Sequence, residues 1–124
     1  AGLIRSKIGR AKCLGFSALK GAVDLEQRVA NQLDDATRIN EWSIAHDYHF
    51  GGFAKINSRL TQFISDTYNQ SQLLLDPVYT GKMLYGLAEF IHQGRIASGS
   101  KVLMLHTGGL QGWRGFGEHH PQKQ

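Results

Sequence analysis

The sequence predicts an α/β fold, in which short apolar strands alternate with amphipathic helices. Two observations carry this prediction. Apolar runs at 12–19 and 102–105 are typical of buried strands. Between them, three stretches repeat their apolar residues with the period of a helix. The run at 102–105 is expected to be a strand buried on both faces of a parallel sheet, although periodicity also allows a buried piece of helix.

The first predicted helix follows Asp24, which stands at an N-cap position. Its apolar residues then recur at every fourth position, which gives the helix one apolar face: Leu25, Val29 and Leu33. Residues 42–49 alternate poorly and run into a pair of glycines. This segment is therefore predicted to be a short extended stretch followed by a turn.

Two longer helices are predicted in the second half of the chain. One carries an apolar stripe and ends near Asn69; the stripe consists of Ile56, Leu60, Phe63 and Ile64. An extended apolar run at 73–75 follows, and Pro77 cannot continue a helix. From Gly81 the helical period resumes and continues to Gly94; its apolar positions are Met83, Leu84, Leu87, Phe90 and Ile91.

Composition narrows the class of protein. Hydrophobic residues make up 41% of the 124 residues, enough for an apolar core. Lys and Arg exceed Asp and Glu by 14 to 10, and this excess is scattered, which argues against a nucleic-acid-binding domain. No apolar stretch approaches the ~20 residues that span a bilayer. A single cysteine, Cys13, fits a reducing compartment, so a cytoplasmic protein is expected.

Two local motifs could carry chemistry. In His106-Thr107-Gly108-Gly109, a hydroxyl and two glycines follow a predicted strand, where open α/β sheets collect ligands. The alternative is a plain turn that needs glycine for its geometry. At 76–82, a phenol, a hydroxyl and an ammonium group stand at a helix start, where anions are favoured. The alternative is that Thr80 caps the helix, Tyr79 packs and Lys82 is solvated.

Other reactive residue types give no site. His46 and His49 lack the further ligands that a metal ion needs, so no metal site is predicted. Cys13 lies in an apolar run and is expected to be a buried, inert thiol. Nothing near Lys20 favours a nucleophilic amine.

Three segments in this order, 47–55, 75–82 and 106–109, resemble the 1-aminocyclopropane-1-carboxylate deaminase/D-cysteine desulfhydrase family. These are pyridoxal 5'-phosphate enzymes of the tryptophan-synthase-β fold type, also called fold type II. The segments read Asp-Tyr-His-Phe-Gly-Gly-Phe-Ala-Lys, Leu-Asp-Pro-Val-Tyr-Thr-Gly-Lys and His-Thr-Gly-Gly. The likeness extends from about Ala1 to Trp113.

The resemblance implies that 1–116 is the C-terminal part of the catalytic fold, within a large domain built on an open, mostly parallel sheet flanked by helices. It leaves 117–124 as a polar tail that we expect to be disordered. It implies a homodimer and places the Schiff-base lysine and the Gly-rich phosphate loop before Ala1, in a missing N-terminal part of the same enzyme. Neither Lys20 nor Lys82 matches that lysine.

The resemblance also assigns roles to single residues. Tyr79 matches a tyrosine that contacts the substrate beside the cofactor, and Thr80 follows it on the substrate side. Thr107 and Gly108 would bind the cofactor, with the Thr107 hydroxyl facing the pyridine nitrogen. Deaminases of the family have Glu and Leu at the two threonine positions, whereas D-cysteine desulfhydrases have Thr at both. Phe53 stands where the family often has tyrosine.

The expected activity is β-elimination from a small amino acid, most like the conversion of D-cysteine to pyruvate, hydrogen sulfide and ammonia. A hydroxyl facing the pyridine nitrogen leaves the ring neutral, which suits a substrate with a good leaving group. One alternative is 1-aminocyclopropane-1-carboxylate deaminase. A second is a non-catalytic fragment or divergent homologue, since the lysine and the phosphate loop are absent from the sequence.

Overall fold

The computed structural model describes residues 2–5, 11–33 and 42–123, so the predicted limits at Ala1 and Gln124 lie outside the described residues. Helices and strands follow one another in the order α1 (Gly2–Arg5), β1 (Cys13–Phe16), α2 (Leu25–Ala30), β2 (Trp42–Ala45), α3 (Ser58–Ser71) and α4 (Thr80–His92). Three short 3-10 turns end the described chain, at Leu110–Gly115, Gly117–His119 and Pro121–Lys123.

The strands β1 and β2 form a small parallel sheet. Cys13 lies opposite Trp42 and Phe16 opposite Ala45. A parallel pair needs a crossover connection, and α2 lies within it. The prediction of an α/β fold is therefore confirmed in its coarse form, with one strand inside 12–19 and an extended segment inside 42–49.

The helix α3 forms as its apolar stripe predicts. The Asn57 side chain accepts a hydrogen bond from the Leu60 amide at 3.0 Å and so caps the first turn. Leu60 and Ile64 are fully buried, whereas Ile56 precedes the helix. The helix ends at Ser71, two residues beyond the predicted limit, and left-handed Gln72 follows it.

The helix α4 is also confirmed, and it packs against α3. Gly81 allows their close approach, because a Cβ there would lie 2.6 Å from Ile64 Cδ1 and 2.7 Å from the Asp76 carbonyl oxygen. Left-handed Gly94 follows the helix, as its position in the sequence predicts. The core between the helices consists of Leu60, Ile64, Leu75, Tyr85 and Trp113.

The helix α2 is shorter than its apolar spacing predicts. It ends at Ala30, so Leu33 lies outside it, and none of its residues is buried. Asp24 makes no capping hydrogen bond; its carboxylate instead accepts from Arg28 Nε at 2.7 Å. Without a buried face, this helix has little tertiary packing to extend it.

The predicted buried strand at 102–105 is wrong in this structure. The segment is neither strand nor helix, and Leu103 is 78% exposed. A strand needs a neighbour for its backbone groups, and within the described ranges the two-stranded sheet does not include this segment. Met104 alone of the four packs against the core. The apolar run at 102–105 thus predicted a buried segment, whereas most of its side chains are exposed in the described part of the fold.

The end of the described chain folds back on the core. Residues 117–123 form 3-10 turns in which Pro121 is buried, and His120 lies against Trp113 with ring centroids 5.2 Å apart. The boundary at residue 116 between the catalytic fold and a separate tail stays a prediction. Among the described residues, the structure has no helix long and apolar enough to cross a membrane.

We expect Gly86→Ala to lower the free energy of unfolding by about 1 to 2 kcal/mol in net terms, because it overpacks the contact between α4 and β1 at a cost of up to about 3 kcal/mol. A Cβ there would lie 2.6 Å from Phe16 Cδ1 and 2.9 Å from Tyr48 Cγ. The opposing gain from replacing glycine in a helix is smaller, about 1 kcal/mol. Urea unfolding measures the difference.

Gly115→Ala is the matched control, because a Cβ there meets nothing within 4 Å. It should change the free energy of unfolding by less than about 0.5 kcal/mol. Equal losses for the two variants would contradict the close approach at Gly86.

Candidate functional site

Loop 106–113 is attached to the segment before α4, which brings two of the predicted motifs together. His106 Nε2 lies 2.9 Å from the Leu74 carbonyl oxygen. Trp113 Nε1 donates to the Leu75 carbonyl oxygen at 2.8 Å. These two side chains hold the loop at both ends against residues 74–75, in the segment that leads into α4.

Asp76 organises the start of α4 and is fully buried. One carboxylate oxygen, Oδ1, accepts from the amides of Val78 at 2.8 Å and Tyr79 at 2.7 Å. The other, Oδ2, accepts from the Thr80 amide at 2.8 Å and the Thr80 hydroxyl at 2.6 Å. The first backbone donors of the helix are thus satisfied by one side chain. Sequence reasoning missed this role, although an aspartate before proline is a known turn signal.

Two glycines of loop 106–113 approach this carboxylate and its neighbours closely. A Cβ on Gly109 would lie 3.2 Å from Asp76 Oδ2, and Gly109 has a left-handed φ of 83°. A Cβ on Gly112 would lie 3.3 Å from Val78 Cγ2. Glycine at these positions lets the backbone pack against a buried charge.

Tyr79 and Thr80 are adjacent in sequence but differ in exposure. Tyr79 is 51% exposed, and its ring lies against Phe53 with centroids 6.0 Å apart and planes inclined by 60°. Thr80 is buried; its hydroxyl donates to Asp76 Oδ2 and accepts from the Asp76 amide at 2.9 Å. The Tyr79 phenol therefore faces solvent, whereas the Thr80 hydroxyl is engaged within the fold. Their catalytic roles stay predictions.

Thr107 and Gly108 lie on the open side of the loop. Thr107 is exposed, and its hydroxyl bonds to no other residue in the described part of the chain. The Gly108 amide donates to His106 Nδ1 at 3.1 Å, and a Cβ on Gly108 would meet nothing within 4 Å. A ligand could reach both residues, and their cofactor-binding role stays a prediction.

Lys82 is buried, so its interpretation as a solvated side chain is wrong. It is 1% exposed, and Nζ donates to the carbonyl oxygens of His49 and Gly52, both at 2.8 Å. Burial lowers the pKa of Lys82, and the charge of Asp76 partly opposes this shift. Through these bonds the segment at 47–55 is attached to the segment at 75–82, which in turn contacts the loop that contains 106–109.

The remaining candidates are engaged elsewhere in the fold. His46 Nε2 lies 2.6 Å from Glu26 Oε1, and this hydrogen bond lowers the pKa of Glu26. His49 Nδ1 accepts from the Gly51 amide at 3.0 Å. No group of three or more His, Cys, Asp or Glu residues within 2–5, 11–33 and 42–123 could hold a metal ion. Cys13 is half-buried in β1.

We expect Asp76→Asn to lower the free energy of unfolding by about 1 to 3 kcal/mol. An amide of the same shape must point its NH2 group either at two backbone amides or at the Thr80 amide and hydroxyl. In either orientation, the two donors that face the NH2 group lose their acceptor inside the fold. Thermal or urea unfolding measures the loss.

Asp66→Asn is the control, because Asp66 is exposed and its one hydrogen bond within the described ranges is from Gln62 Nε2, at 2.9 Å. Its effect should stay within about 0.5 kcal/mol. An Asp76→Asn variant as stable as this control would contradict the capping role.

The buried ammonium of Lys82 predicts a pH dependence. Because its pKa is lower in the folded than in the unfolded chain, the unfolded chain binds more protons between the two values. Stability relative to Lys82→Met should therefore rise with pH between the lowered folded pKa and the ordinary lysine value, by at most about 1.4 kcal/mol per pH unit. Below the folded pKa, the difference should be constant.

The effect is measured by unfolding the parent protein and Lys82→Met at several pH values between the lowered folded pKa of Lys82 and the ordinary lysine value. Lys101→Met, at an exposed lysine, is the control for the loss of one positive charge. A Lys82→Met difference that falls as pH rises would contradict the burial of the charge.

Comparison with known proteins identifies related sequences over more than half of the chain. Two relatives, from Pyrococcus horikoshii and Pyrococcus abyssi, are named "Putative 1-aminocyclopropane-1-carboxylate deaminase" and are 40% and 44% identical over 73 residues, 59% of this chain. A protein from Ralstonia pickettii named 1-aminocyclopropane-1-carboxylate deaminase is 31% identical over 88 residues, 69% of this chain. A scan against protein-family profiles finds no match.

The chain spans about a quarter of the length of these curated relatives, between 22% and 26%. The resemblance drawn from the three motifs is confirmed by the names of these relatives. Over 59% to 69% of its length the chain is homologous to proteins named 1-aminocyclopropane-1-carboxylate deaminase, consistent with a C-terminal portion of the 1-aminocyclopropane-1-carboxylate deaminase/D-cysteine desulfhydrase family.

Proposed function

We propose that the protein to which this chain belongs is a pyridoxal-phosphate-dependent lyase that acts on a small amino acid, most like D-cysteine desulfhydrase. The observation that carries the proposal is the exposed Thr107 hydroxyl, which has no partner among the described residues and stands on a loop fixed to the carbonyl oxygens of Leu74 and Leu75, shortly before Tyr79 in the sequence. The proposed products of this enzyme from D-cysteine are pyruvate, hydrogen sulfide and ammonia.

The described residues fit the ring-facing side of such a cofactor. A hydroxyl can donate to a pyridine nitrogen, and the space beside Gly108 is open. Lys82 does not fit as the covalent anchor, because its amine is buried and bonded to two carbonyl oxygens. When bound, pyridoxal phosphate draws electrons from the substrate Cα, and the anchoring lysine belongs to another part of the protein.

The side chains of this chain then have separate roles. Thr107 orients the cofactor ring through one hydrogen bond, and Gly108 leaves room for it. Tyr79 presents its phenol to the substrate, with Phe53 packed against the ring. Thr80 acts through Asp76, because its hydroxyl holds the carboxylate that fixes the Tyr79 amide.

The second candidate is 1-aminocyclopropane-1-carboxylate deaminase, which the names of the relatives favour. Against it, the resemblance places Glu and Leu in deaminases at the positions held here by Thr80 and Thr107. A sulfur leaving group departs more readily than a ring carbon, so threonine opposite the cofactor suits D-cysteine better. Phe53 lacks the hydroxyl that a family tyrosine would supply.

The test is an assay of the full-length protein with each substrate. Both reactions release ammonia, but only D-cysteine yields sulfide. We expect sulfide and pyruvate from D-cysteine in equal amounts, and little ammonia from 1-aminocyclopropane-1-carboxylate. The opposite preference would establish the deaminase instead. Turnover of neither substrate would overturn both assignments.

Thr107→Ala should lower kcat/KM for D-cysteine about 10- to 100-fold, the loss of one hydrogen bond to a polar cofactor. Thr107→Ser keeps the hydroxyl and should retain most of the activity. Cofactor absorbance checks that each variant still binds pyridoxal phosphate. Thr61→Ala serves as the control, because the Thr61 hydroxyl donates to the carbonyl oxygens of Asn57 and Ser58 at the start of α3. Unchanged turnover in Thr107→Ala would remove this residue from the site.

A further inference from the structure

We propose that Lys82 is a positioning residue, which fixes Phe53 against Tyr79 by holding the turn at 49–54 to α4. The inference rests on the proposed function, since it concerns the side of the site that Tyr79 presents to the substrate. Lys82 itself is buried, and its amine is engaged by two backbone carbonyl oxygens. Its effect on the reaction therefore passes through Phe53 and Tyr79.

The turn at 49–54 has a conformation that its own residues do not favour. Phe50 and Ala54 have left-handed φ angles of 54° and 52°, which are uncommon for residues other than glycine. Gly51 and Gly52 are also left-handed, at 100° and 128°. Such a backbone persists when contacts from outside the turn determine it.

Lys82 supplies that contact. Its ammonium bonds to the carbonyl oxygens of His49 and Gly52, the two residues that also close the turn by a backbone bond of 3.1 Å. The Lys55 amide donates to the same Gly52 oxygen at 3.1 Å. One buried side chain therefore joins two residues of the turn, His49 and Gly52, to the helix.

Phe53 lies at the exposed end of the turn, and Tyr79 lies just before α4. Phe53 is 56% exposed, so its ring is not held by a surrounding core. Tyr79 and Lys82 are three residues apart, close enough to act as neighbours along the start of the helix. The ammonium thus ties the segment that carries Phe53 to the segment that carries Tyr79, and the two rings meet edge to face.

Fluorine NMR of the full-length protein labelled with 3-fluorotyrosine tests this without any activity. The chain has four tyrosines, and Tyr79→Phe identifies the Tyr79 resonance. Phe53→Leu should shift that resonance, because the neighbouring ring is lost. Lys82→Met should shift it in the same direction, and adding it to Phe53→Leu should cause little further change. A Tyr79 resonance that stays in place in Lys82→Met would overturn the proposal.

Lys82→Met removes the ammonium and shortens the side chain by one atom, and each carbonyl oxygen keeps one backbone hydrogen bond. Should this variant unfold, Gly51→Ala perturbs the same turn while leaving the lysine, because Gly51 is left-handed. It should shift the Tyr79 resonance as well. Gly86→Ala is the matched destabilised control: its added methyl group meets Phe16 and Tyr48, so the Tyr79 resonance should remain unchanged.

Kinetics separates positioning from general destabilisation. In the parent protein, Lys82→Met should lower kcat/KM about tenfold, a common cost of a misplaced contact. In the Phe53→Leu background it should cost less than about twofold, because the positioned ring is already gone. Equal losses in both backgrounds would overturn the inference. A protein active on neither substrate would instead overturn the proposed function, and the fluorine spectra would still test the role of Lys82.

Discussion

The buried carboxylate of Asp76 is the interaction on which the candidate site depends. A buried charge is costly unless it is hydrogen-bonded, and here four donors from three successive residues surround it. This arrangement starts α4, sets the direction in which Tyr79 leaves the backbone, and takes up the Thr80 hydroxyl. The loop that carries Thr107 packs on the same group through Gly109.

Lys82 gives the same helix a second buried charge, of opposite sign. Asp76 accepts hydrogen bonds from the helix start, and Lys82 donates to a neighbouring turn, so each is satisfied by backbone groups rather than by an ion pair with the other. The charge of Asp76 nevertheless favours the protonated lysine. The start of α4 thus joins three segments that are distant in sequence: the turn at 49–54, the segment at 76–82 and the loop at 106–113. The contacts are made largely with backbone groups, whose geometry is fixed.

The sequence predicted the elements whose signals are local. The apolar stripe of α3 and the glycine after α4 gave both helices within a few residues, because burial of one face determines such helices. The motif around Tyr79 was also visible. The sequence did not show which residues of this motif are buried. The polar side chains of Asp76 and Lys82 point inward and form hydrogen bonds with the backbone, and no periodicity distinguishes a buried lysine from a solvated one.

The strand prediction at 102–105 failed for a different reason. Four apolar residues in a row indicate burial on two sides, but burial depends on what lies against the segment, and that is not encoded in the segment itself. The same limit applies to Thr107. Its position after an apolar run suggested a ligand site, whereas its actual placement comes from His106 and Trp113, two side chains that bond to distant carbonyl oxygens.

The exposed apolar run at 102–105 also bears on how this chain behaves in solution. Short, uncharged, β-prone segments that lie open to solvent pair readily with copies of themselves. Here Lys101 precedes the run and Ser98, Gly99 and Ser100 lie before it, so a positive charge and a short polar stretch flank it on one side. The charge of Lys101 beside the run opposes such pairing, so neutralisation of that amine, for example by acetylation, would remove one barrier to self-association.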